Sequence, residues 1–294
     1  MNLFDQLVTE ALRNQPQLSS LRTVVEKELL HHDILRILSQ MNLLTSLTFI
    51  GGTCLRCCYG GIRLSEDLDF TGGFEFTRDN LSSMGKILAS SLEEKYGLVV
   101  QVSEPQEDKQ NVDTWKIKVE TRPEQKHLPA QRINIDICSI LSYEKRPMVL
   151  LNPYMVDMGT SGLIIQAQSL EEIYADKLLA FAFRPNRLKY RDLWDILWLH
   201  QKGIKPRLSL LPSKIMDHNR TFKDFLESFN ERRNSLTSNS QIAREFKGEM
   251  LRFLPAEQRS TLEQPNLWDF IAYLIADLAK QIHAASLMKS SIQH

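Results

Sequence analysis

The sequence predicts an α+β protein, with a mixed sheet flanked by helices in its N-terminal half and an α-helical C-terminal half. Three observations predict this class. Several segments of the first half alternate apolar and polar residues with period two, which is typical of half-buried strands. Glycine pairs separate these strands from short helical segments. Beyond the "GTSG" at residues 159–162, apolar residues recur at helical spacing, and prolines mark the breaks.

The elements of the first half follow in chain order. Residues 20–44 carry apolar residues at helical spacing without Gly or Pro, which predicts one or two helices. "LTFI" at 47–50 is a short strand that stops at a Gly-Gly turn, and "CLRCCYG" at 54–60 is a short helix. "RLSEDLDF" at 63–70 alternates with period two and is predicted to be a strand with one polar edge.

A helix over 77–96 and three strands at 98–102, 114–120 and 132–138 complete this half, with polar loops between the strands. We expect the domain boundary in the "GTSG" segment. The predicted domains are therefore residues 1–162 and residues 163–294.

The composition is that of a soluble globular protein, and we expect a cytoplasmic location. Of the 294 residues, 43% are hydrophobic and 24% are charged, and the formal net charge is zero. A neutral chain has no global field that attracts a membrane or a nucleic acid, so such recognition must come from local charge. The N-terminus lacks an apolar segment of signal-peptide length, and no run of 18 apolar residues occurs. We expect no membrane partner.

Three of the four cysteines are crowded together, at Cys54, Cys57 and Cys58, and the fourth is Cys138. Cys54 and Cys57 have the spacing of half a zinc site, but no second pair of ligands completes it. Buried, reduced thiols are the interpretation that fits a cytosolic protein.

Aspartates on the predicted strands are the first candidates for catalysis. Asp67 and Asp69 are two apart on one strand, so both side chains should leave the same face, while Glu66 points away. Asp136 lies in the middle of the β-branched strand "RINIDIC", where its type is disfavoured. If the two strands pair, the three acids form a cluster that can hold two Mg²⁺ ions and activate a hydroxyl for displacement at phosphorus.

A simpler interpretation is that the D-x-D pair is a solvated strand end and that Asp136 is satisfied by Arg132 or by a backbone amide. The glycine-rich turn favours the catalytic one. Gly51 and Gly52 open a helix whose free N–H groups suit a phosphate, and Thr53 adds a hydroxyl donor.

The helix "SLEEIYADKLLAFAFR" starts with a predicted capping box of Ser169 and Glu172 and carries Lys177 on its apolar stripe. Lys177 either extends to the edge of the stripe or reaches a triphosphate. In the next helix, Asp192 either pairs with Lys189 on the surface or orients Lys177 or an arginine.

Residues 177–220 form a basic segment, with ten Lys or Arg against three acids. It either contacts a phosphate backbone, with Tyr190, Trp194 and Trp198 as stacking partners, or forms a solvated helix face over an aromatic core. Arg56 and Arg63 beside the Gly-Gly turn have similar alternatives, and phosphate binding is favoured for both.

The order of these motifs resembles a known family. Strand, "GGT", helix and "SEDLDF" are similar to the nucleotidyltransferase fold of DNA polymerase β relatives. More specifically, "FIGGTCLRCCYGGIRLSEDLDF" resembles the AbiEii/AbiGii toxin family. The flanking "VVEKELLHHDILRIL" and "EEIYADKLLAFAFRPNRLKYRDLWDILWL" extend the resemblance over about residues 20–200.

The resemblance implies a toxin of a toxin–antitoxin or phage-defence pair that transfers a nucleotide from an NTP, with tRNA 3′ ends as an acceptor in some members. It matches Asp67 and Asp69 to the metal-binding pair and Gly52 and Thr53 to the phosphate turn. Lys177 and Asp192 match the family's lysine and later aspartate. Taken with the residue analysis, the expected catalytic set is Asp67, Asp69, Asp136, Lys177 and Asp192, and the expected nucleotide-binding set is Gly51, Gly52, Thr53, Arg56, Arg63 and Lys177.

Two other functions stay open at this point. The chain could be a catalytically silent module that binds nucleotide or RNA, although the three intact aspartates argue against it. It could also transfer a nucleotide to a protein or a small molecule, although the basic segment favours RNA. A cognate antitoxin is a possible partner.

Overall fold

The computed structural model describes residues 2–105, 111–125, 129–185 and 187–290, so parts of two predicted inter-strand loops lie outside the described residues. The chain divides into two compact units, residues 1–168 and residues 169–294. The first unit is α+β and the second is helical, as the sequence predicts.

A seven-stranded mixed sheet forms the centre of the first unit, in the order β3-β4-β5-β2-β1-β7-β6. The β1–β7 and β2–β5 pairs are parallel, and the other neighbours are antiparallel. The strands are β1 (Thr48–Ile50), β2 (Leu68–Thr71), β3 (Val100–Ser103), β4 (Val112–Val119), β5 (Gln131–Cys138), β6 (Lys145–Val149) and β7 (Ile164–Gln168). The helices of this unit are α1 (Leu3–Asn14), α2 (Arg22–Gln40), α3 (Gly51–Tyr59) and α4 (Met84–Tyr96), with 3-10 turns at Pro16–Leu21, Leu43–Thr45 and Arg78–Leu81.

Strand β5 shows how the sequence builds the two faces of the sheet. Ile133, Ile135 and Ile137 are fully buried, whereas the alternate residues of the strand are half-buried or exposed. The buried face packs against α2, where the carboxylate of Glu26 accepts a hydrogen bond of 2.6 Å from Nε2 of Gln131. The opposite, polar face of the sheet therefore carries the alternate residues of β5.

Three element predictions need correction. The strand predicted over 63–70 begins only at Leu68, because the preceding segment is held by side chains: the N–H of Ser65 donates to Oε1 of Glu28 at 2.8 Å. The helix predicted over 77–96 is a 3-10 turn followed by α4. Strands β6 and β7 are not among the predicted elements. Strand β7 follows residue 162 and pairs with β1 and β6, so it belongs to the sheet.

The regular secondary structure among the described residues of the second unit is α-helix and 3-10 helix, joined by loops. Its first helix is capped by Ser169, whose hydroxyl accepts from the N–H of Glu172 at 3.1 Å; the carboxylate of Glu172 contacts Nζ of Lys214 at 2.6 Å. No helix in the described ranges is long and apolar enough to cross a membrane. The helices are α5 (Leu170–Phe183), α6 (Tyr190–Gln201), α7 (Leu211–Asp217), α8 (Phe222–Ser238), α9 (Ser240–Met250) and α10 (Leu267–Ser290), with 3-10 turns at Leu208–Leu210 and Ala256–Glu263.

Candidate functional site

The parallel pairing of β2 with β5 brings two of the predicted acids together. Asp69 lies in register with Asp136, and both belong to the polar face, since Phe70 and Ile137 beside them are buried. Neighbouring strands are about 4.8 Å apart, so two in-register carboxylates are close enough to share a cation. On the other side of β2, Ile50 of β1 lies in register with Asp69. The acids therefore sit where β1 ends and α3 begins.

Asp67 reaches this place by a different route from the one predicted. It precedes β2, so strand alternation does not set its direction. Its Oδ1 accepts a hydrogen bond of 3.1 Å from the N–H of Asn134 in β5, and its carbonyl accepts from the hydroxyl of Thr53 in α3. One carboxylate oxygen of Asp67 thus extends the β2–β5 ladder by one hydrogen bond.

Gly51 is required by both conformation and contact. Its φ of +75° is in the left-handed region, and an added Cβ would lie 2.5 Å from Oδ2 of Asp69. The carboxylate of Asp69 therefore packs against the first residue of α3. The N-terminus of a helix carries a partial positive charge, which stabilises a carboxylate placed there.

Gly52 makes room for the guanidinium of Arg63 in the same way. A Cβ at Gly52 would lie 2.3 Å from Nη2 of Arg63. Arg63 is only 5% exposed, and its Nη1 donates to the carbonyl of Leu64 at 3.1 Å. The glycine pair therefore lets a carboxylate and a guanidinium approach the first turn of α3, which brings positive charge close to the acids. The triphosphate contact predicted for Arg63 stays a prediction.

Thr53 and Arg56 contact protein groups within the first unit. The Thr53 hydroxyl is buried and lies within hydrogen-bond distance of the Asp67 carbonyl and, at 2.7 Å, of Oγ of Ser65. Because the Thr53 hydroxyl has one proton and a carbonyl can only accept, it donates to Asp67 and accepts from the hydroxyl of Ser65. Arg56 donates from Nε to Glu28 at 3.1 Å and from Nη1 to the carbonyl of Gly61 at 3.0 Å. The phosphate contacts predicted for Thr53 and Arg56 stay predictions.

Glu28 is a buried member of this network that the sequence analysis did not identify. Its Oε1 accepts from the backbone of Ser65, and its Oε2 accepts from Arg56 and from the hydroxyl of Tyr154. Although burial alone would lower the pKa of Arg56, Glu28 reverses this and raises it. An acid within the apolar pattern of α2 was the available signal, but its partners are distant in sequence.

Two more residues of α2 hold the segment before Asp67. Nζ of Lys27 is 2.7 Å from Oε1 of Glu66, and Nε2 of His31 is 3.0 Å from the carbonyl of Glu66. Burial lowers the pKa of His31, so a neutral ring with its proton on Nε2 donates to that carbonyl. Helix α2 therefore fixes the backbone on which Asp67 is carried.

In the second unit, Lys177 and Asp192 contact each other. Lys177 is 8% exposed, and its Nζ lies 2.7 Å from Oδ1 of Asp192 and 2.7 Å from Oδ2 of Asp195; Arg184 contacts Oδ2 of Asp192 at 3.0 Å. Burial alone would raise the pKa of Asp192, but Lys177 and Arg184 outweigh it and lower the pKa below its ordinary value. Of the two alternatives for Asp192, the structure has the pairing with Lys177. The triphosphate contact of Lys177 stays a prediction.

At least four of the ten basic residues over 177–220 form ion pairs, including Lys177 and Arg184 described above. Lys214 contacts Glu172 and Asp176 at 2.6 and 2.7 Å, and Arg191 contacts Glu249 at 3.5 Å. The three aromatic residues considered as stacking partners are buried, so they belong to the core: Tyr190, Trp194 and Trp198.

The acids of the first unit fit a hard cation. Within the described residues, no group of three or more His, Cys, Asp or Glu side chains is arranged to hold a metal; the strand register brings Asp69 and Asp136 together, and the metal contact predicted for Asp67 stays a prediction. Mg²⁺ is commonly held by one or two carboxylates, with water and substrate phosphates as its other ligands. The pair therefore suits Mg²⁺ bound together with a nucleotide.

The three crowded cysteines are buried free thiols, and Cys138 is half-buried. Burial raises the pKa of both Cys54 and Cys57, so these thiols stay protonated near neutral pH. They belong to the buried side of α3.

The model of the AbiEii family, described as "Nucleotidyl transferase AbiEii toxin, Type IV TA system", matches residues 33–274. None of the curated proteins compared with the chain matches it. Among solved structures, JHP933 from Helicobacter pylori is 16% identical, with a TM-score of 0.47 over 92% of this chain and 98% of its own. A chain from the same organism, described as a "putative nucleotidyltransferase", is also 16% identical, with a TM-score of 0.45 over 89% of this chain and 95% of its own.

Proposed function

Because this chain belongs to the AbiEii nucleotidyl transferase toxin family of type IV toxin–antitoxin systems, we propose that it transfers a nucleoside monophosphate from an NTP to an RNA acceptor, with a tRNA 3′ end favoured. Family membership implies an antitoxin partner as well as an NTP substrate. The observation that carries the proposal is the register of Asp69 with Asp136 beside the glycine-opened start of α3. The proximity of carboxylates to the start of a helix supports the proposal, because phosphate and a divalent cation could both bind there.

In this proposal Asp69 and Asp136 would hold the Mg²⁺ ions, together with the carboxylate of Asp67. Bound Mg²⁺ supplies charge stabilisation at the phosphates and lowers the pKa of a coordinated hydroxyl. The role of the chain is to fix the two strands that carry the acids, through the β2–β5 ladder and the hydrogen bond from Asn134.

The first turn of α3 binds the triphosphate. Ile50 precedes the helix and makes no side-chain cap hydrogen bond, so the residue before α3 does not cap the N–H groups of its first turn. Gly51 and Gly52 allow phosphate oxygens to approach these groups closely. Arg63 beside Gly52 supplies the charge of a guanidinium.

Asp136 accepts the proton of the acceptor hydroxyl. The hydroxyl oxygen attacks the α-phosphorus from the side opposite the departing pyrophosphate. The carboxylate belongs to the polar face of the sheet, so an acceptor 3′ end can approach it from that side. The bond that forms joins the acceptor oxygen to the α-phosphorus, and the bond that breaks joins that phosphorus to the oxygen bridging to the β-phosphate.

The proposal is tested with the purified chain, Mg²⁺, total tRNA and each NTP in turn, labelled on the α-phosphate. We expect label on RNA with at least one NTP, and the end that carries it is found by digestion. Label on protein instead would change the acceptor. Unchanged NTP in every reaction would contradict the proposal and favour a binding module without catalysis.

Gly51→Ala tests how Asp69 is positioned, and Gly162→Ala is the matched control. The φ angles are +75° and +74°, but a Cβ at Gly162 meets no atom within 4 Å. We expect both variants to lose about 1–2 kcal/mol of unfolding free energy. Only Gly51→Ala should also lose transfer activity, roughly 10- to 100-fold, because its Cβ displaces the Asp69 carboxylate.

The measurement is the transfer rate of each variant alongside its urea unfolding curve. Equal activity in the two variants would show that the close contact between Gly51 and Asp69 does not position the carboxylate.

A further inference from the structure

The polar face of the sheet carries three cations beside the proposed catalytic acids. In the β4–β5 pair, Lys118 lies opposite Arg132, Lys116 lies opposite Asn134, and the next polar-face residue of β5 is Asp136. Lys116 and Arg132 are exposed, and Lys118 is partly exposed. We call Lys116, Lys118 and Arg132 the basic row.

The protein does little to neutralise the basic row. Lys118 pairs with Glu120 at 3.5 Å, and because both side chains are 40% exposed the pair is weak. Within the part of the chain that the structure describes, neither Lys116 nor Arg132 forms an ion pair. Like charges directly opposite each other on antiparallel strands are destabilising, so the Lys118–Arg132 pair costs stability unless an anion binds there.

The basic row is continuous with the catalytic acids. Arg132 and Asp136 lie on the same face of one strand, four residues apart, or about 13 Å at ~3.3 Å per residue. This distance spans about four nucleotides at the ~3.4 Å rise of a stacked strand. A polynucleotide whose 3′ end reaches Asp136 from this side would pass its phosphates over the row.

We propose that the basic row binds the phosphate backbone of the RNA acceptor, a few nucleotides before its reacting end. The inference rests on the proposed function, because it assigns the acceptor strand to the polar face on which Asp69 and Asp136 lie. Lysine and arginine contacts to phosphate carry no base specificity, so the basic row positions the RNA strand without selecting its sequence. It also differs from the predicted RNA surface at 177–220, where several charges are paired and the aromatic residues are buried.

The test compares the double variant Lys118→Gln, Arg132→Gln with the matched control Arg13→Gln, Lys86→Gln. The control removes the same two charge types from exposed positions on α1 and α4. The probe is a fluorescent single-stranded RNA of about 12 nucleotides, three times the ~four-nucleotide span above. Binding is measured by anisotropy at several salt concentrations.

We expect the row variant to bind the RNA roughly tenfold more weakly at low salt. The slope of log K against log salt should become less negative by about 1.4, or ~0.7 for each lost phosphate contact. The control should match the wild type. The melting temperature of the row variant should not fall, because a like-charge pair has been removed. Equal binding and equal slopes in the two double variants would overturn the inference.

A transfer assay separates this inference from the proposed function. A dinucleotide acceptor is too short to reach the row, so the row variant should use it as well as the wild type does and should lose activity only on the long RNA, through a higher KM. Equal losses on both acceptors would contradict the proposed role. A wild type that transfers to neither acceptor would refute the proposed function, while the anisotropy result would still decide whether the row binds RNA.

Discussion

Asp69→Asn is expected to reduce nucleotidyl transfer at least about a thousandfold, which corresponds to ~4 kcal/mol of the barrier. The variant keeps the size of the side chain but removes the charge that lies in register with Asp136. An amide is a poor ligand for Mg²⁺ beside a triphosphate, so both cation binding and phosphate neutralisation are lost. The rate is measured with saturating NTP and RNA.

The fold of this variant should be unharmed. The in-register carboxylates repel each other, whereas the start of α3 stabilises the Asp69 charge, so these effects offset and removal of the charge should change the unfolding free energy little. Asp79→Asn, at an exposed position of the same unit, is the control and should keep full activity. A large loss of stability in Asp69→Asn, or a transfer rate near that of the wild type, would contradict the catalytic role assigned to Asp69.

Lys177→Met is expected to destabilise the second unit by about 3–5 kcal/mol, because it leaves two buried carboxylates without their shared cation. Lys177 contacts Asp192 and Asp195 at 2.7 Å each, and Arg184 contacts Asp192 at 3.0 Å. The measurement is urea unfolding followed by tryptophan fluorescence. Lys205→Met, which changes an exposed lysine of the same unit, should alter the free energy by less than ~0.5 kcal/mol.

The pH dependence of this effect has a defined sign. In the wild type the pKa of Asp192 is lowered, so its contribution is present above the ordinary aspartate pKa of ~3.9 and is lost as the pH falls through the folded value. Without Lys177, the effect of burial on Asp192 is less compensated, so the pKa of Asp192 rises and protonation removes the buried charge. The stability difference between wild type and variant should therefore narrow as the pH is lowered from neutral. A constant difference would show that Lys177 acts through packing alone.

The part of the site that depends on local pattern was predictable. Alternation places Asp136 on the polar face of β5, and the Gly-Gly pair marks the start of α3. That Asp69 and Asp136 are neighbours followed only on the condition that their strands pair, since periodicity does not specify a strand's partner. The alternation of 63–67 was misleading, because the buried side chain of Glu28, from a distant helix, takes the place of a neighbouring strand.

Long-range partners explain the other differences. The edge strand β6 contains Pro147, which breaks a strand pattern in sequence but is tolerated at a sheet edge. In the sequence alone, the basic residues over 177–220 have few acids near them. In the structure, Lys177 and Lys214 each lie between two carboxylates. Pairing of this kind depends on how the helices pack, which their separate amphipathic patterns do not specify.

The most direct measurement of the central claim follows both ends of the triphosphate. Wild type and Asp69→Asn are incubated with RNA, Mg²⁺ and one NTP that carries label either on its α-phosphate or on its γ-phosphate. The account predicts that α-label appears on RNA while γ-label appears in pyrophosphate, with the wild type only. Appearance of γ-label on RNA would show phosphoryl transfer, and α-label on RNA with Asp69→Asn at the wild-type rate would show that the site lies elsewhere. Either result would contradict the account.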